Sequence, residues 1–235
     1  MLRLAWLVAV KDLRIERRAR ILTYQVLPFA ALVLVMFAFA LDNGGQVVDG
    51  ERTVTITSYV APGLLWLTVL LSLLLVIQRS FALEVADGAL DSLRSAGVDP
   101  GAIFLGKSTA LLIELLGLEA VVTFGIVVLY GTHIRPAGVV LLVATLLVGT
   151  AGLAFVGTIY GGLTAGAKGR ETLLPLLVFP VVAPVLLGAA RATEAALGTG
   201  GAAISEGWPW LGLLAVFGAV FGAAGTVAFG PLMED

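Results

Sequence analysis

The sequence contains no cysteine and a single histidine, His133. The absence of cysteine excludes disulfide bonds, thiolate metal sites and covalent attachment of haem through a Cys-x-x-Cys-His motif. One histidine is too few for a conventional zinc site. No histidine stands beside a nucleophile, and no pair of carboxylates marks an obvious cleft. We therefore expect no catalytic residues, no metal site and no enzymatic activity in this chain.

Charged residues are scarce as well. They make up 13% of the 235 residues, whereas a soluble globular domain carries about 25%. Hydrophobic residues account for 59%, and the mean hydropathy is +1.05. A chain this apolar has no water-compatible surface unless lipid surrounds it. The few basic residues lie close to the hydrophobic segments and form no phosphate-binding patch, which argues against nucleic acid as a partner.

Six hydrophobic segments are long enough to cross a bilayer, which takes about 20 residues of α-helix. The sequence therefore predicts an all-α, polytopic membrane protein that forms a single domain over residues 1–235. The fifth segment contains Pro175, Pro180 and Pro184, which predict a kinked or broken helix. The predicted spans are residues 21–41, 60–77, 109–130, 137–163, 172–190 and 208–230.

Lysine and arginine are distributed unevenly among the segments between the spans. Eleven of them lie in the amino-terminal arm and in the second and fourth connections, and three lie on the other side. Because basic residues favour the cytoplasmic side, both termini are predicted to be cytoplasmic. The eleven are Arg3, Lys11, Arg14, Arg17, Arg18, Arg20, Arg79, Arg94, Lys107, Lys168 and Arg170, and the three are Arg52, Arg135 and Arg191.

Residues 101–108 match the phosphate-binding pattern G-x-x-x-x-G-K-[ST]. A functional P-loop follows a buried strand inside a soluble α/β domain, and no connection here is long enough to hold one. We interpret the segment as the start of a helix instead, with Asp99 as N-cap, Pro100 at the first helical position and Lys107 near the lipid headgroups. The match to the P-loop pattern is then accidental.

The amino-terminal arm, residues 1–20, interleaves apolar and basic side chains. Leu2, Leu4, Trp6 and Leu7 are followed by a run of arginines. This composition is typical of a helix that lies in the membrane interface before the chain enters the bilayer. The alternative is a basic flank that only fixes the topology.

The connection between the second and third spans, residues 78–107, contains an amphipathic pattern. Its apolar residues recur at helical spacing, with acidic and basic residues on the other faces. A two-faced helix that protrudes between two spans suits docking into a groove on a soluble partner. The pattern alone leaves open whether the apolar face packs on the protein's own spans instead. The predicted interface residues are Leu83, Glu84, Asp87, Gly88, Leu90 and Leu93.

Two acidic residues, Glu114 and Glu119, lie within the third span. An ionisable residue at that depth is costly and must face protein or a cavity, so function is the first hypothesis. Five residues place the two side chains about 140° apart around a helix, and they are not expected to form one paired site. The alternative is a protonated or hydrogen-bonded carboxyl that serves helix packing.

Glycines recur four residues apart in the fourth and sixth spans. Such steps let helix backbones approach closely, either inside one bundle or between subunits. The pairs are Gly157 with Gly161, Gly162 with Gly166, and Gly218 with Gly222.

Residues 60–90 carry the series A-P-G, W, L-L-S, R-x-F and D-G-x-L in the order and spacing of one known family. The sequence resembles CcmB, the permease family of the cytochrome c maturation, or haem exporter, ABC system. The resemblance extends through most of the chain, including the basic arm and the proline-bearing fifth span. Its motif residues are Ala61, Pro62, Gly63, Trp66, Arg79 and Phe81.

The resemblance implies an ABC-2-type exporter permease of the bacterial inner membrane. Its partners would be a separate ATPase, CcmA, together with CcmC, CcmD and the haem chaperone CcmE, and a second permease copy could join the complex. The coupling helix that contacts the ATPase would lie in the connection 78–107. ATP energy would drive haem export or release of the haem-loaded chaperone, with haem a handled ligand and no tightly bound cofactor.

Three other functions stay open on the residues alone. One is a generic ABC exporter permease for another lipid-like substrate. Another is an ion-coupled secondary transporter that uses Glu114 or Glu119. The third is a purely structural assembly subunit, which the sequence does not distinguish from an ATP-coupled permease.

Overall fold

The computed structural model describes residues 1–42, 45–49, 52–87, 97–165 and 169–232. Seven α-helices make up nearly all of this part of the chain. They are α1 (Leu2–Ala19), α2 (Leu27–Asp42), α3 (Ile56–Asp87), α4 (Pro100–Tyr130), α5 (Val139–Thr164), α6 (Arg170–Leu197) and α7 (Ile204–Leu232). A π-helical turn, Leu22–Val26, precedes α2, and short 3-10 turns, Pro136–Gly138 and Thr199–Gly201, precede α5 and α7.

Six helices, α2 to α7, are long and apolar enough to cross a membrane within the described residues, which confirms the predicted all-α, six-span fold. The second and fifth spans are 27 and 26 residues long and so extend beyond the segments expected from hydrophobicity. A helix can continue past the hydrocarbon because its hydrogen bonds do not depend on its surroundings. The spans are Leu22–Leu41, Ile56–Ala82, Pro100–Tyr130, Pro136–Thr164, Thr172–Leu197 and Ile204–Pro231.

Helix α6 runs from Arg170 to Leu197 as one α-helix with its three prolines inside. Of the predicted kink or break, the break is therefore wrong, and the kink stays a prediction. Each proline removes only one backbone hydrogen bond. Pro180 and Pro184 are exposed, while a row of buried side chains packs α6 into the common core and stabilises the helix along most of its length. The row comprises Leu174, Val178, Val182, Val185 and Ala189.

Helix α3 is the most buried span, with 72% of its apolar segment inside the bundle, compared with 17% for α2 and for α7. Glycines on α5 allow this burial. A Cβ atom at Gly157 would lie 2.5 Å from Ile77 Cδ1, and one at Gly161 would lie 2.6 Å from Phe81 Cε2. These contacts place the glycine step between α5 and α3 of the same chain. Gly162 similarly faces Phe229 of α7, while Gly166 lies outside the described residues.

A two-stranded antiparallel hairpin, not expected from the sequence, connects α2 to α3. Strand β1 (Gln46–Asp49) pairs with β2 (Arg52–Thr55). The register matches Gln46 with Thr55 and Asp49 with Arg52. Both strands are rich in β-branched residues, which favour extended backbone. The hairpin is a local addition to an otherwise helical fold.

The amino-terminal arm is a helix, as predicted, but one of its faces is buried against α4. Ala5, Val8 and Ala9 are the buried residues of α1. A Cβ atom at Gly106 of α4 would lie 2.5 Å from the carbonyl oxygen of Ala5, so the two helices touch at that point. The helix ends at Arg20, which adopts a left-handed conformation with φ of 53°.

The predicted coupling segment continues directly from the second span. Helix α3 extends without interruption from Ile56 to Asp87, so Leu83, Glu84 and Asp87 belong to its last turns. The remaining predicted interface residues, Gly88, Leu90 and Leu93, lie outside the described residues.

Candidate functional site

Most of the motif residues on α3 are buried in the bundle. Ala61, Pro62 and Trp66 are buried near the start of the helix and Phe81 near its end, whereas Gly63 and Arg79 are exposed. The buried motif residues therefore lie at two levels along a long helix, one near its start and one near its end.

The upper level is organised around Trp66, which is 1% exposed. Its indole Nε1 donates a hydrogen bond of 2.9 Å to Oγ1 of Thr193 on α6. Its ring fills the space left by Gly149 on α5, where a Cβ atom would lie 2.6 Å away. One side chain thus joins α3 to two other spans. A buried tryptophan needs such a partner for its N–H group.

The lower level is organised around Phe81. Its ring packs against Gly161 of α5, and the Nζ atom of Lys107 on α4 lies 5.0 Å from the ring centroid. That distance is within the range of a cation–π interaction. Phe81 therefore joins α3 to α4 and α5 within two turns of the connection to the third span.

Lys107 is only 4% exposed, so its side chain is packed between helices. Its predicted position near the lipid headgroups stays a prediction. Its Nζ atom lies 3.3 Å from Oδ2 of Asp12 on α1. The close approach of α1 to Gly106 explains the burial, because it brings a carboxylate to the ammonium group. Asp12 also pairs with its neighbour Lys11, at 2.7 Å.

The backbone around Lys107 excludes the P-loop interpretation. Residues 101–108 are α-helical, and Pro100 occupies the first turn of α4 after Asp99 at the N-cap position, as predicted. The Asp99 side chain makes no capping hydrogen bond. A P-loop cradles phosphate with the N–H groups of an open, glycine-rich loop, and a continuous helix offers no such loop.

A small cavity lies between α1, α3, α4 and α5 beside Lys107. Its volume is 20 Å³, which is enough for about one water molecule. Glu114 lines this cavity together with Asp12 and Lys107, so one of the two intramembrane glutamates belongs to the same site. The other lining residues are Val76, Ile77, Ser80, Phe81, Ala110, Leu111 and Thr158.

Glu16 continues the acidic side of α1 one turn beyond Asp12. Its carboxylate accepts a hydrogen bond from the backbone N–H of Leu22, where the chain turns into the first span. Burial raises the pKa of the Glu16 carboxyl, and backbone hydrogen bonds from Leu22 and Ile21 oppose that rise. The carboxyl thereby links the end of α1 to the start of the membrane-spanning part.

Glu119 lies apart from this site, as its angular separation from Glu114 predicts. It is 1% exposed and accepts a hydrogen bond from the Thr150 hydroxyl of α5. Its second oxygen, Oε2, has no hydrogen-bond partner among the described residues. Glu119 and Thr150 thus form a polar contact between α4 and α5 in the bundle core.

Sequence reasoning missed three polar residues that line the cavity beside Lys107: Asp12, Ser80 and Thr158. A signal was present for Asp12. The residues at 5, 8, 9, 12 and 16 share one face of α1, and that face is small or acidic whereas the rest of the helix is bulky or basic. Ser80 and Thr158 carry no comparable pattern.

Comparison with known proteins identifies the family. The family model described as CcmB protein matches residues 3–232. A protein of Paracoccus denitrificans named Heme exporter protein B is 32% identical over 187 residues, covering 79% of this chain and 80% of its own length. The Heme exporter protein B of Haemophilus influenzae is 31% identical, covering 93% and 90%, and that of Escherichia coli K12 is 30% identical, covering 96% and 93%. A model match over nearly the whole chain, joined to relatives of matching length, assigns this protein to the CcmB family.

Proposed function

We propose that this chain is the membrane permease subunit of an ABC transporter that acts in haem export and cytochrome c maturation. Family membership and the six spans support a permease role. The relatives that match most of its length are named for haem export. Haem would be a ligand that the complex moves or handles, without a permanent site in this chain.

ATP hydrolysis would occur in a separate subunit. The one phosphate-binding pattern in the sequence lies inside helix α4, so this chain offers no P-loop to a nucleotide. By family resemblance the ATPase is CcmA-like, and the further partners are CcmC-, CcmD- and CcmE-like proteins. In that arrangement the protein lies in the bacterial inner membrane with both termini in the cytoplasm.

The observation that carries the coupling proposal is the continuity of α3. This single helix of 32 residues is about 48 Å long. It connects Trp66, fixed to α6, with Phe81, fixed to Lys107 and α5, and it leads directly into the segment that holds Gly88 and Leu90. A displacement of that segment by an ATPase would therefore be transmitted along a continuous helix to the centre of the bundle.

The energy of ATP hydrolysis would enter through an apolar row on this segment, formed by Leu83, Ala86, Leu90 and Leu93. Such contacts concentrate binding energy in a few buried side chains, and truncating one of them typically costs about 2 kcal/mol or more. A charged residue in the row should exclude the ATPase. In the native complex, the free energy of ATP hydrolysis would drive either haem export or release of the haem-loaded chaperone.

Leu90→Glu tests this proposal. The ATPase should no longer co-purify with the variant, when recovery is normalised to the amount of variant protein in the membrane. Ser92→Glu is the matched control, because it adds the same charge in the same segment off the apolar row, and it should retain the ATPase. Normal recovery with Leu90→Glu would overturn the coupling proposal. Low abundance with normal recovery would show that the row packs on the protein's own spans.

A second candidate, an ion-coupled secondary transporter, is favoured by one observation. Glu119 is buried in a membrane span with one carboxylate oxygen unpartnered among the described residues, which is typical of ion-binding carboxyls. The Thr150 hydrogen bond supports helix packing as the simpler role. Transport by the reconstituted chain without an ATPase, abolished by Glu119→Gln, would favour the second candidate.

A further inference from the structure

Helix α1 carries a groove on the face that points away from α4. The groove has a volume of 350 Å³ and is formed by α1 alone. Half of its lining residues are cationic and half are apolar. They are Leu7, Val10, Lys11, Arg14, Ile15 and Arg18.

The two arginines give the groove its charge. Arg14 and Arg18 are both exposed, and their spacing of four residues places them side by side on the helix. Within the described part of the chain, neither has an assigned hydrogen bond or ion pair. Lys11 shares the face but pairs with Asp12 at 2.7 Å. The groove therefore keeps a net positive charge.

The position of the groove along the chain fixes its surroundings. Leu22 is the first residue of the first span, and Arg18 precedes it by only four residues, across the end of α1 at Arg20. This end of α1 therefore lies at the depth of the lipid headgroups. Leu7 and Ile15 are 57% and 37% exposed, and apolar side chains exposed at that depth pack against the glycerol and upper acyl region of lipid.

We propose that this groove binds the headgroup of an anionic phospholipid. The lipid phosphate lies between the guanidinium groups of Arg14 and Arg18, which suit phosphate because they donate paired hydrogen bonds. Leu7 and Ile15 contact the apolar part of the same lipid molecule. The lipid then contacts both the cationic and the apolar residues of the groove, whereas free inorganic phosphate would contact only the cationic ones. This inference does not depend on the proposed transport function.

A lipid titration tests the proposal. The purified full-length protein is titrated in detergent with phosphatidylglycerol, and bound lipid is counted by native mass spectrometry. Arg14→Gln together with Arg18→Gln should weaken binding by about tenfold or more. Arg14→Lys with Arg18→Lys should keep most of the affinity, because the charge remains. Zwitterionic phosphatidylethanolamine should bind the native protein weakly.

The matched control is Arg3→Gln with Arg17→Gln, which removes the same charge from exposed positions of the same helix outside the groove. This pair should reduce binding by about threefold or less. An equal loss in both pairs would mean a diffuse charge effect and would overturn the proposal. It would also fail if phosphatidylethanolamine bound equally well, or if inorganic phosphate displaced the lipid. Unchanged lipid binding in the Arg14 and Arg18 variant, with loss of the ATPase instead, would reassign the groove to a protein partner.

Discussion

The ammonium group of Lys107 lies 3.3 Å from the Asp12 carboxylate, and this pair joins α4 to α1 where the two side chains are 4% and 10% exposed. A charge that is buried to this extent is tolerated because it has a partner and an aromatic neighbour, Phe81. The pair explains why α1, a helix with many basic residues, presents its acidic side to the bundle. It also makes α1 an integral part of the fold rather than a mobile flank.

Removing one member of the pair should be strongly destabilising. Lys107→Met leaves the partly buried Asp12 with Lys11 as its remaining ion-pair partner among the described residues, and loss of a buried partner typically costs about 3–5 kcal/mol. The double variant Asp12→Asn with Lys107→Met should lose less than the sum of the two single variants, because neither side then holds an unpaired charge. Thermal unfolding of the detergent-purified proteins measures these differences.

An exposed basic residue supplies the control for that cycle. Arg79→Met removes a positive charge from the surface of α3 and should change stability by less than about 0.5 kcal/mol. Strict additivity of the Asp12 and Lys107 substitutions would contradict a direct interaction between them.

Two glycine-to-alanine substitutions should have opposite effects on stability. Gly161→Ala puts a methyl group 2.6 Å from Phe81 Cε2 and 2.7 Å from Ile77 Cγ2, and such overpacking typically costs about 1–3 kcal/mol. Gly117→Ala meets nothing within 4 Å. It should be neutral or stabilising by up to about 1 kcal/mol, because alanine favours helix over glycine. The same melting experiment applies, and a stable Gly161→Ala variant would contradict the close contact of α5 with α3.

Glu16 should make stability depend on pH. Burial raises the pKa of its carboxyl in the folded protein above the ordinary value of 4.5. The folded state then holds this proton more tightly than the unfolded state. The resulting stability is complete below pH 4.5 and is lost as the pH rises through the folded pKa. The melting temperature of the native protein, compared with Glu16→Gln from acidic to neutral pH, should show this decline in the native protein only. Melting temperatures that change with pH in parallel for the two proteins would rule out a contribution from Glu16.

The number, order and type of the spans could be predicted from the sequence, because hydrophobic length alone decides whether a helix can cross the bilayer. The prolines of α6 suggested a kink or a break, and the break is absent because each proline removes one hydrogen bond, whereas the buried row from Leu174 to Ala189 packs along most of the helix. The hairpin at Gln46–Thr55 was also missed. Short β-branched segments between long apolar runs carry little signal of their own.

The candidate site was only half visible in the sequence. The family motif located Trp66 and Phe81, but their partners Thr193 and Lys107 lie far away along the chain. Sequence spacing contains no information on such pairs. Lys107 was expected near the headgroups because a lone lysine near the end of a span usually extends toward water. The burial of its side chain between helices was not predicted. Its burial depends on Asp12, 95 residues earlier, which only the packing of α1 on α4 could reveal.

The orientation of the chain in the membrane is the last prediction. Eleven basic residues lie on one side and three on the other, so the hairpin that follows α2 should be outside and the connection after α3 should be cytoplasmic. The native chain has no cysteine, so a single introduced thiol reports its own side without background. Gln46→Cys should react with a membrane-impermeant maleimide on intact cells. Ser95→Cys should react only after the cells are permeabilised. Labelling of Ser95→Cys in intact cells, with Gln46→Cys silent, would invert the topology and move the proposed ATPase-binding segment to the wrong side of the membrane for ATP.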